Sequence, residues 1–577
     1  MSNGPQRLWR KLPEIFQRRR FSEQQVFLVL TVLIGLVAGL AAVLFTLAIH
    51  SLQTHLFGVY PSVPRYILVP TLVSLVAGFL LARYFSDARG SGVPQTEAAF
   101  HLNDGFIPLK TAWGKFITGV LCVGSGHSMG REGPSVQIGA SLASSIGRWI
   151  GLSPASVKNL VPVGAAAALS AAFNTPIAAV LFALEEIVGD MNAAILGSTV
   201  VASVAAVVLE RAILGNEPVF QVPKYTLLHP AELLAYAFLG VIGGYASVGF
   251  CKGLLWLRQF FLNLPQRTRV FQPAMGGLVI GGILVFMPQV MGVGYEYVDA
   301  ALNGNLALKT LLLFCLVKAV ATIISYSSGN AGGIFAPSLF IGAMLGGAVG
   351  TAMQMMHQSQ WLLFATGDPG AYALVGMGTL FAGIIRAPMT SVFMIFELTQ
   401  DYEIIVPLMI ANMISYAISR RHQRVPVYHA LLHQDGIHLP LAETRVAVGR
   451  WRVGDMMRRE VKALPINLTA AEAWEQIKDD PDFCVPVLED ESLAGLLERQ
   501  TLEKALAEGR AQTLLGELPL WRDSAHVHAD QPLELALARL GETPGLLPVV
   551  GRSNARRLEG VVGLEDVLRV LQYSRRV

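Results

Sequence analysis

The sequence predicts a multi-pass α-helical membrane protein of two related halves, followed by a water-soluble α/β tail, and three observations carry that reading. The first is composition. Of 577 residues, 53% are hydrophobic and 15% charged, and the mean hydropathy is +0.49, whereas a soluble globular chain carries about 25% charged residues. The second is distribution, because charge-poor apolar stretches recur over residues 25–420 while 439–577 reads as ordinary soluble protein. The third is an internal repeat. Pro134-Ser-Val-Gln-Ile-Gly-Ala140 returns as Pro337-Ser-Leu-Phe-Ile-Gly-Ala343. Downstream, Phe173-Asn-Thr-Pro176 with Glu185 nine positions after the proline returns as Ile385-Arg-Ala-Pro388 with Glu397 at the same distance.

Taken in order, Arg7, Arg10, Lys11, Arg18, Arg19 and Arg20 face only Glu14 before the first apolar run, and Arg420, Arg421 and Arg424 follow the last. The positive-inside rule then puts both termini in the cytoplasm and makes the number of crossings even. Residues 26–52 and 66–84 are long enough to span a hydrocarbon core that takes about 20 helical residues. Residues 135–150, 177–184 and 338–353 are shorter, rich in glycine and alanine, and are expected to stop part-way through the membrane. Irregular backbone at that depth is tolerable only where it lines a protein-walled cavity. Interrupted segments in matching positions of two halves point to a transport site near the midplane. The predicted boundaries are 1–21 for a basic N-terminal segment, 22–435 for the membrane domain, 436–452 for a linker and 453–577 for the tail. Cys122, Cys251, Cys315 and Cys484 are far apart and form no C-x-x-C, which speaks against a disulfide framework and a zinc site. The net charge of +3 gathers at the ends of the membrane region and leaves no nucleic-acid footprint.

Chemistry concentrates in glycine turns. Gly130-Arg-Glu-Gly-Pro134 and Gly333-Ile-Phe-Ala-Pro337 each place a proline where a helix begins, a position at which its missing N–H would be unpaired anyway. The exposed N–H groups of such a helix start favour an anion. Two starts from two repeats could hold a dehydrated anion without a full positive charge beside it. Gly90-Ser-Gly-Val-Pro94 follows the same logic and adds the Ser91 hydroxyl. Glu132 puts a carboxylate where N–H dipoles attract anions, so it can occupy the anion site itself and leave on protonation. Glu185 and Glu186 end an apolar segment, where a buried acid is costly and by default functional.

In this order and at these spacings, the three turns resemble the signature segments of the CLC family of chloride channels and chloride–proton antiporters. Arg424-Val-Pro-Val-Tyr-His-Ala-Leu-Leu432 is similar to the family segment that carries the pore tyrosine, and the likeness extends over residues 25–435. The resemblance implies a CLC-type inverted-repeat fold with partial helices, and a homodimer in a bacterial inner membrane with one pore per subunit. It implies that Ser91 and Tyr428 give hydroxyls, and Ile334 and Phe335 give N–H groups, to a central anion. The N–H groups of Arg131, Glu132 and Gly133 would line an outer site. Glu132 matches the gating glutamate. Glu186 matches the internal proton-transfer glutamate, present in exchangers and replaced by an uncharged residue in channels. Glu97 and Arg131 are expected to form a buried structural pair. Gln95 departs from the glutamate that commonly follows the first signature. Ser91, which is proline in nitrate-preferring members, and the intact Gly-Arg-Glu-Gly-Pro, which differs from the fluoride exchangers, imply chloride. Lys115 and Lys318 are expected to pair with helix ends or to snorkel. The expected function is chloride/proton antiport, with a passive chloride channel as the second reading. An enzyme is not expected, since no metal-ligand cluster, nucleophile–base pair or phosphate-binding lysine motif occurs.

The tail contains two units of one plan, opening at Val453-Gly-Asp-Met-Met457 and Leu518-Pro-Leu-Trp521. Each passes through a helical middle and an apolar strand, Cys484-Val-Pro-Val-Leu488 or Leu547-Pro-Val-Val550, and closes at Gly495-Leu-Leu or Gly560-Val-Val. This rhythm looks like a tandem pair of CBS domains. By resemblance the pair serves adenine-nucleotide binding, or assembly or trafficking alone, and both stay open: the ribose-binding acid appears as Asp566 in the second unit, but Thr501 holds its place in the first.

Overall fold

The computed structural model describes residues 23–439 and 451–569, apart from short stretches at 59–60, 192, 216–219, 221–224, 226, 362–365, 400–401, 479–483, 491, 523–524, 542, 544, 553, 555 and 568. The basic N-terminal segment, on which the orientation argument partly rests, and most of the predicted linker lie outside the described residues. The chain divides into two units, Met1–Leu439 and Pro440–Val577.

The first unit is helical. Its first half runs α1 (Glu23–Phe57), α2 (Val63–Arg83), α3 (Val93–Leu102), α4 (Leu109–Gly124), α5 (Glu132–Trp149), α6 (Pro154–Phe173), α7 (Pro176–Phe182) with a π-helical turn over Ala183–Val188, and α8 (Ala193–Leu214). The second half repeats the series as α9 (Glu232–Asn263), α10 (Gln272–Phe286), α11 (Tyr295–Leu302), α12 (Leu308–Ser327), α13 (Phe335–Gln358), α14 (Pro369–Ile384), α15 (Pro388–Thr399) and α16 (Ile405–His422). A short α17 (Val427–Gln434) follows. The packing obeys the same correspondence: α1 lies on α8 as α9 lies on α16, and α5 on α6 as α13 on α14. Among the described residues, seven helices are long and apolar enough to cross a membrane, namely α1, α2, α6, α8, α9, α12 and α13. Rows of exposed aliphatic residues, such as Leu312, Leu313, Leu316 and Val320 on α12, make sense only against lipid or another protein.

One expectation is corrected. The segment at 338–353 does not stop part-way: α13 begins at Phe335 and runs for 24 residues, about 36 Å at 1.5 Å per residue. Pro337 falls in its first turn, where it opens the helix rather than breaking it. Of the other two segments, 177–184 does form a short helix, α7, only seven residues long before the π turn, and 135–150 lies within the 18-residue α5.

Small residues set the helix crossings. A Cβ on Gly139 of α5 would collide with the Gly164 carbonyl of α6, and one on Gly342 of α13 with the Gly376 carbonyl of α14. The two halves thus use the same glycine-on-glycine contact, the close backbone approach that drives association where lipid removes the hydrophobic difference. Gly342→Ala is therefore expected to lower stability by about 1–3 kcal/mol, the usual cost of forcing extra methyl groups into a packed core, as read by thermal unfolding in detergent. An unchanged midpoint would mean that the crossing yields freely.

Lys115 and Lys318 do not snorkel but meet helix ends, those of the short 3-10 helices Ser86–Ala88 and Pro288–Val290. Both are fully buried. Lys115 Nζ donates to the carbonyls of Ala88 and Gly90 at 2.9 and 2.6 Å, and Lys318 Nζ to those of Val290 and Gly292 at 3.0 and 2.6 Å. These are the turns before α3 and α11, so each ammonium clamps the same turn of its own half. Buried charge is tolerated when its donors are taken up.

The second unit is α/β. Its strands are β1 (Leu464–Pro465), β2 (Cys484–Glu489), β3 (Ser492–Glu498), β4 (Leu546–Val550) and β5 (Leu558–Gly563), and its helices α18 (Ala470–Ile477), α19 (Arg499–Ala507) and α20 (Leu533–Leu540). β1 pairs in parallel with β2 and β2 antiparallel with β3, while β4 and β5 form the second antiparallel pair. The opening segments are exchanged. Arg458, from the first opening, bonds through N and O to Val561 of β5, and Trp521, from the second, to Leu496 of β3. Accordingly Val453 packs in the core of the second repeat and Leu518 in that of the first.

Candidate ion-binding site

Three glycine turns meet at one place. Gly130 and Gly333 exchange both backbone hydrogen bonds at 2.8 Å, Gly332 N donates to Gly90 O at 3.1 Å, and Gly90 N to Asn330 O at 3.3 Å. The approach demands glycine, since a Cβ on Gly92 would stand 2.8 Å from the Gly133 carbonyl oxygen and one on Gly133 would strike the Ser91 hydroxyl. Gly90 and Gly92 also have φ of 78° and 105°, which favours glycine. Gln95 closes the first turn: its Oε1 accepts from Gly92 N at 2.9 Å and its Nε2 donates to Arg89 O at 3.1 Å. A glutamate could not make the second bond, so the departure at this position has a local reason.

The predicted residues gather here. The first intrahelical bonds run from Ser135 N to Arg131 O and from Ser338 N to Ile334 O. The N–H groups of Arg131, Glu132 and Gly133, and of Ile334 and Phe335, therefore lie in the unpaired first turns of α5 and α13. The aromatic ring of Phe335 is wedged between Phe173, Phe182 and Phe381 at 5.1, 5.6 and 4.4 Å. Ser91 and Tyr428 are fully buried. Their hydroxyls neighbour each other, yet neither makes a hydrogen bond of good geometry within the chain. Buried polar groups are normally satisfied, so two facing hydroxyls with spare capacity mark a place built for a polar guest. Glu132 is also fully buried. Its Oε1 accepts from Tyr295 Oη at 3.1 Å, and its Oε2 lies between Gly130 and the start of α13 at Ala336. The carboxylate thus reaches from the start of one half's helix to the start of the other's.

Arg131 does not pair with Glu97, as the resemblance had implied. Its Nη2 donates to Ala172 O at 3.3 Å and its guanidinium lies 5.8 Å from the Tyr295 ring centre. Glu97, on α3, instead meets His429 at 2.6 Å. Glu185 and Glu186 separate in role. Glu185 accepts from Met389 N, Thr390 N and Thr390 Oγ1 at 3.3, 2.9 and 2.8 Å, capping α15 of the other half. Glu397 returns the contact, accepting from Ile177 N and Ala178 N of α7, both at 2.8 Å. A carboxylate at a helix start satisfies orphan donors and complements the dipole, so Glu185 is a structural acid. Glu186 stands partly buried in the π turn, within electrostatic reach of Tyr428, Glu97 and Arg386. The turns before α7 and α15 match as well: Asn174 and Arg386 have φ of 57° and 73°, and Arg386 is held there by donating to the carbonyls of Ser419, Gln423 and Arg424.

The profile of the voltage-gated chloride channel family matches residues 73–420. The chain belongs to the voltage-gated chloride channel, or CLC, family. CBS domain profiles match 453–508 and 515–573. Among CLC proteins, the chain is 29% identical over 422 residues to the H(+)/Cl(-) exchange transporter ClcA of Vibrio campbellii, covering 70% of this chain and 89% of that one. It is 33% identical over 430 residues to a putative chloride channel protein, ClcB-like, of Ralstonia nicotianae, covering 71% and 98%. A slow cyanobacterial Cl-/H+ antiporter of known structure superposes with TM-score 0.65 at 27% identity, over 71% of this chain and 97% of that one. A eukaryotic CLC transporter structure, at 20% identity, covers 94% of this chain with TM-score 0.63 and shares the fold.

Tyr295 escaped the sequence reading. The signal was present in the CLC repeat, because Gly292-Val-Gly-Tyr295 stands in the second half where Gly90-Ser-Gly-Val93 stands in the first. In the CBS unit, Asp566 is buried, and its Oδ2 accepts from Arg458 Nε at 3.1 Å and from Gly563 N at 2.8 Å. The same Arg458 lines a cavity of about 150 Å³, with Glu460, Lys462, Cys484 and Pro486 among others.

Proposed function

We infer that this protein exchanges chloride for protons across the membrane. The observation that carries the anion half is the convergence of Ser91, Tyr428 and two unpaired helix starts on one buried place. Hydroxyl and amide donors bind a halide without a fixed countercharge, which leaves it free to depart. Glu132, bridging the two helix starts, competes with the anion while ionised and withdraws when protonated. Glu186 supplies the proton from the other side, and its presence, together with relatives that are named exchangers, favours exchange over a passive channel. Purified protein in liposomes, with chloride efflux and proton uptake recorded together under a chloride gradient, tests the reading: uphill proton movement supports it, and chloride flux with no proton movement makes the protein a channel.

The proposal extends to a homodimer in a bacterial inner membrane with cytoplasmic termini. It is supported by the family resemblance and by apolar rows such as Leu196, Val200, Val204 and Val208 along α8. For the CBS pair, assembly is better supported than adenine-nucleotide binding. Asp566 already holds Arg458, so a ribose would have to displace it, and the cavity of about 150 Å³ that Arg458 lines falls short of the roughly 300 Å³ of ordinary small-molecule sites.

Selectivity follows from Ser91. Ser91→Pro removes a donor from the central site and is expected to shift the flux ratio from chloride toward nitrate in the same liposome assay. An unchanged ratio in folded protein would mean that the hydroxyl does not touch the ion.

A further inference from the structure

Glu97 on α3 and His429 on α17 share a bond of 2.6 Å between Oε1 and Nε2. The carboxylate side chain is 5% exposed and the imidazole 17%, so one is sealed in and the other lies toward the rim. Each has a second polar atom, Glu97 Oε2 and His429 Nδ1, that is buried and makes no hydrogen bond within the chain. A purely structural buried pair is worth little unless its remaining valences are filled. Here one on each partner is left unfilled. On the inner side, α3 packs against the π turn that carries Glu185 and Glu186, and Glu97 is within electrostatic reach of Glu186. On the outer side, His433 follows one turn later on α17, with its ring 4.7 Å from that of His438. The other charged groups around the pair are engaged elsewhere. Arg258 of α9 is bonded to Asp435 at 2.7 Å, Lys158 of α6 lies over the Phe100 ring, Arg148 of α5 donates to Ile107 O, His101 packs on Phe100, and Glu185 caps α15. The residue before His429 is Tyr428, so one short helix presents a hydroxyl to the ion site and an imidazole to Glu97.

We propose that the Glu97–His429 pair is a proton relay that feeds Glu186 from the face of the membrane unit where α17 ends. The inference deepens the exchange reading and rests on it. A proton taken up at Nδ1 makes the imidazolium. The proton on Nε2 then passes along the bond to Glu97 Oε1, leaving a neutral imidazole and a neutral carboxylic acid. The acid hands that proton to the Glu186 carboxylate and is ionised again, and the imidazole resets by exchanging its remaining proton. Every step conserves charge and needs no co-reactant. Imidazole suits the task because one ring nitrogen can accept a proton while the other gives one up, and His433 with His438 extends the same chemistry outward. His429 acts through Glu97 and Glu186 and is a positioning and relay residue, not an ion ligand.

The test measures chloride efflux and chloride-driven proton uptake in liposomes for wild type, His429→Ala, Glu97→Gln and Glu186→Gln, with the pH on the His429 side varied and with or without added imidazole. His429→Ala should slow coupled turnover by something of the order of tenfold, less than the hundredfold or more of a group acting in a chemical step. It should keep the chloride-to-proton ratio and recover with imidazole. Glu97→Gln should slow it too, but without recovery, because the acceptor itself is gone. Wild-type turnover and pH profile in His429→Ala would overturn the relay, and so would a loss that imidazole does not repair. If wild type takes up protons, Glu186→Gln does not, and His429→Ala is unchanged, the relay falls and the exchange reading stands. If wild type takes up none, both fall.

Discussion

Glu132→Gln, reconstituted in liposomes, is expected to pass chloride at a rate that no longer depends on pH and to move no protons uphill. The amide has the size of the acid, so the packing against Tyr295 and Gly130 is kept, and Tyr295 can still donate to the remaining carbonyl oxygen. What changes is charge. The ionised carboxylate reaches toward the starts of both helices and so occupies the place an anion would take. A neutral amide has no such hold on the N–H donors and yields to chloride at every pH. The same change removes the carboxylic acid proposed to carry the proton there, so proton movement should vanish entirely. Chloride efflux recorded across a pH series, beside proton uptake under a chloride gradient, decides it. Loss of chloride flux would show that the acid builds the path rather than blocking it. Persisting uphill proton movement would place the crossing point elsewhere.

Glu186→Gln is expected to spare chloride binding and abolish the proton arm. Its side chain stands in the π turn, away from the helix-start donors and beyond the glycine turns, so Ser91, Tyr428 and the amides of Ile334 and Phe335 keep their geometry. The neighbouring Glu185 offers an internal control. Its carboxylate accepts three hydrogen bonds from the first turn of α15, so Glu185→Gln should weaken the fold rather than uncouple transport. Chloride-driven proton uptake and chloride efflux from one preparation separate the two outcomes. A Glu186→Gln protein that still pumps protons at the wild-type ratio would make this residue a structural acid as well.

The turns and their helix starts were legible in the sequence because the rules that shape them are local: proline fits a first turn, and glycine fits where backbones touch. The repeat was legible for the same reason. What the sequence could not convey were pairings settled by tertiary placement. Glu97 finds His429 across 332 positions, and nothing near Glu97 announces that partner over Arg131. Glu185 and Glu186 are identical neighbours. Only the turn of the helix sends the first to cap α15 and leaves the second toward Tyr428. For the lysines the sequence left a helix end and the interface both open, and tertiary placement decides for the first: Lys115 and Lys318 find pairs of carbonyls in the turns they clamp. Tyr295 was missed because it opens α11 without a proline or a signature turn of its own.

The lacing of the glycine turns limits how this molecule can move. Gly130 and Gly333 hold each other by two bonds, Gly90 is tied to Gly332 and Asn330, and at another place Glu185 and Glu397 each grip the opposite half. Tilting one half against the other would break these bonds together, at about 1 kcal/mol net for each and more where the freed groups stay buried. Many secondary transporters alternate their openings by rocking two repeats as rigid bodies. Here the repeats are sewn through the ion site itself, so a change of access is expected from side chains that swing without unstitching it, Glu132 and Tyr428 among them. Such a machine works as a valve whose frame stays still, and structures of its successive states should differ in a few rotamers long before they differ in the course of the backbone.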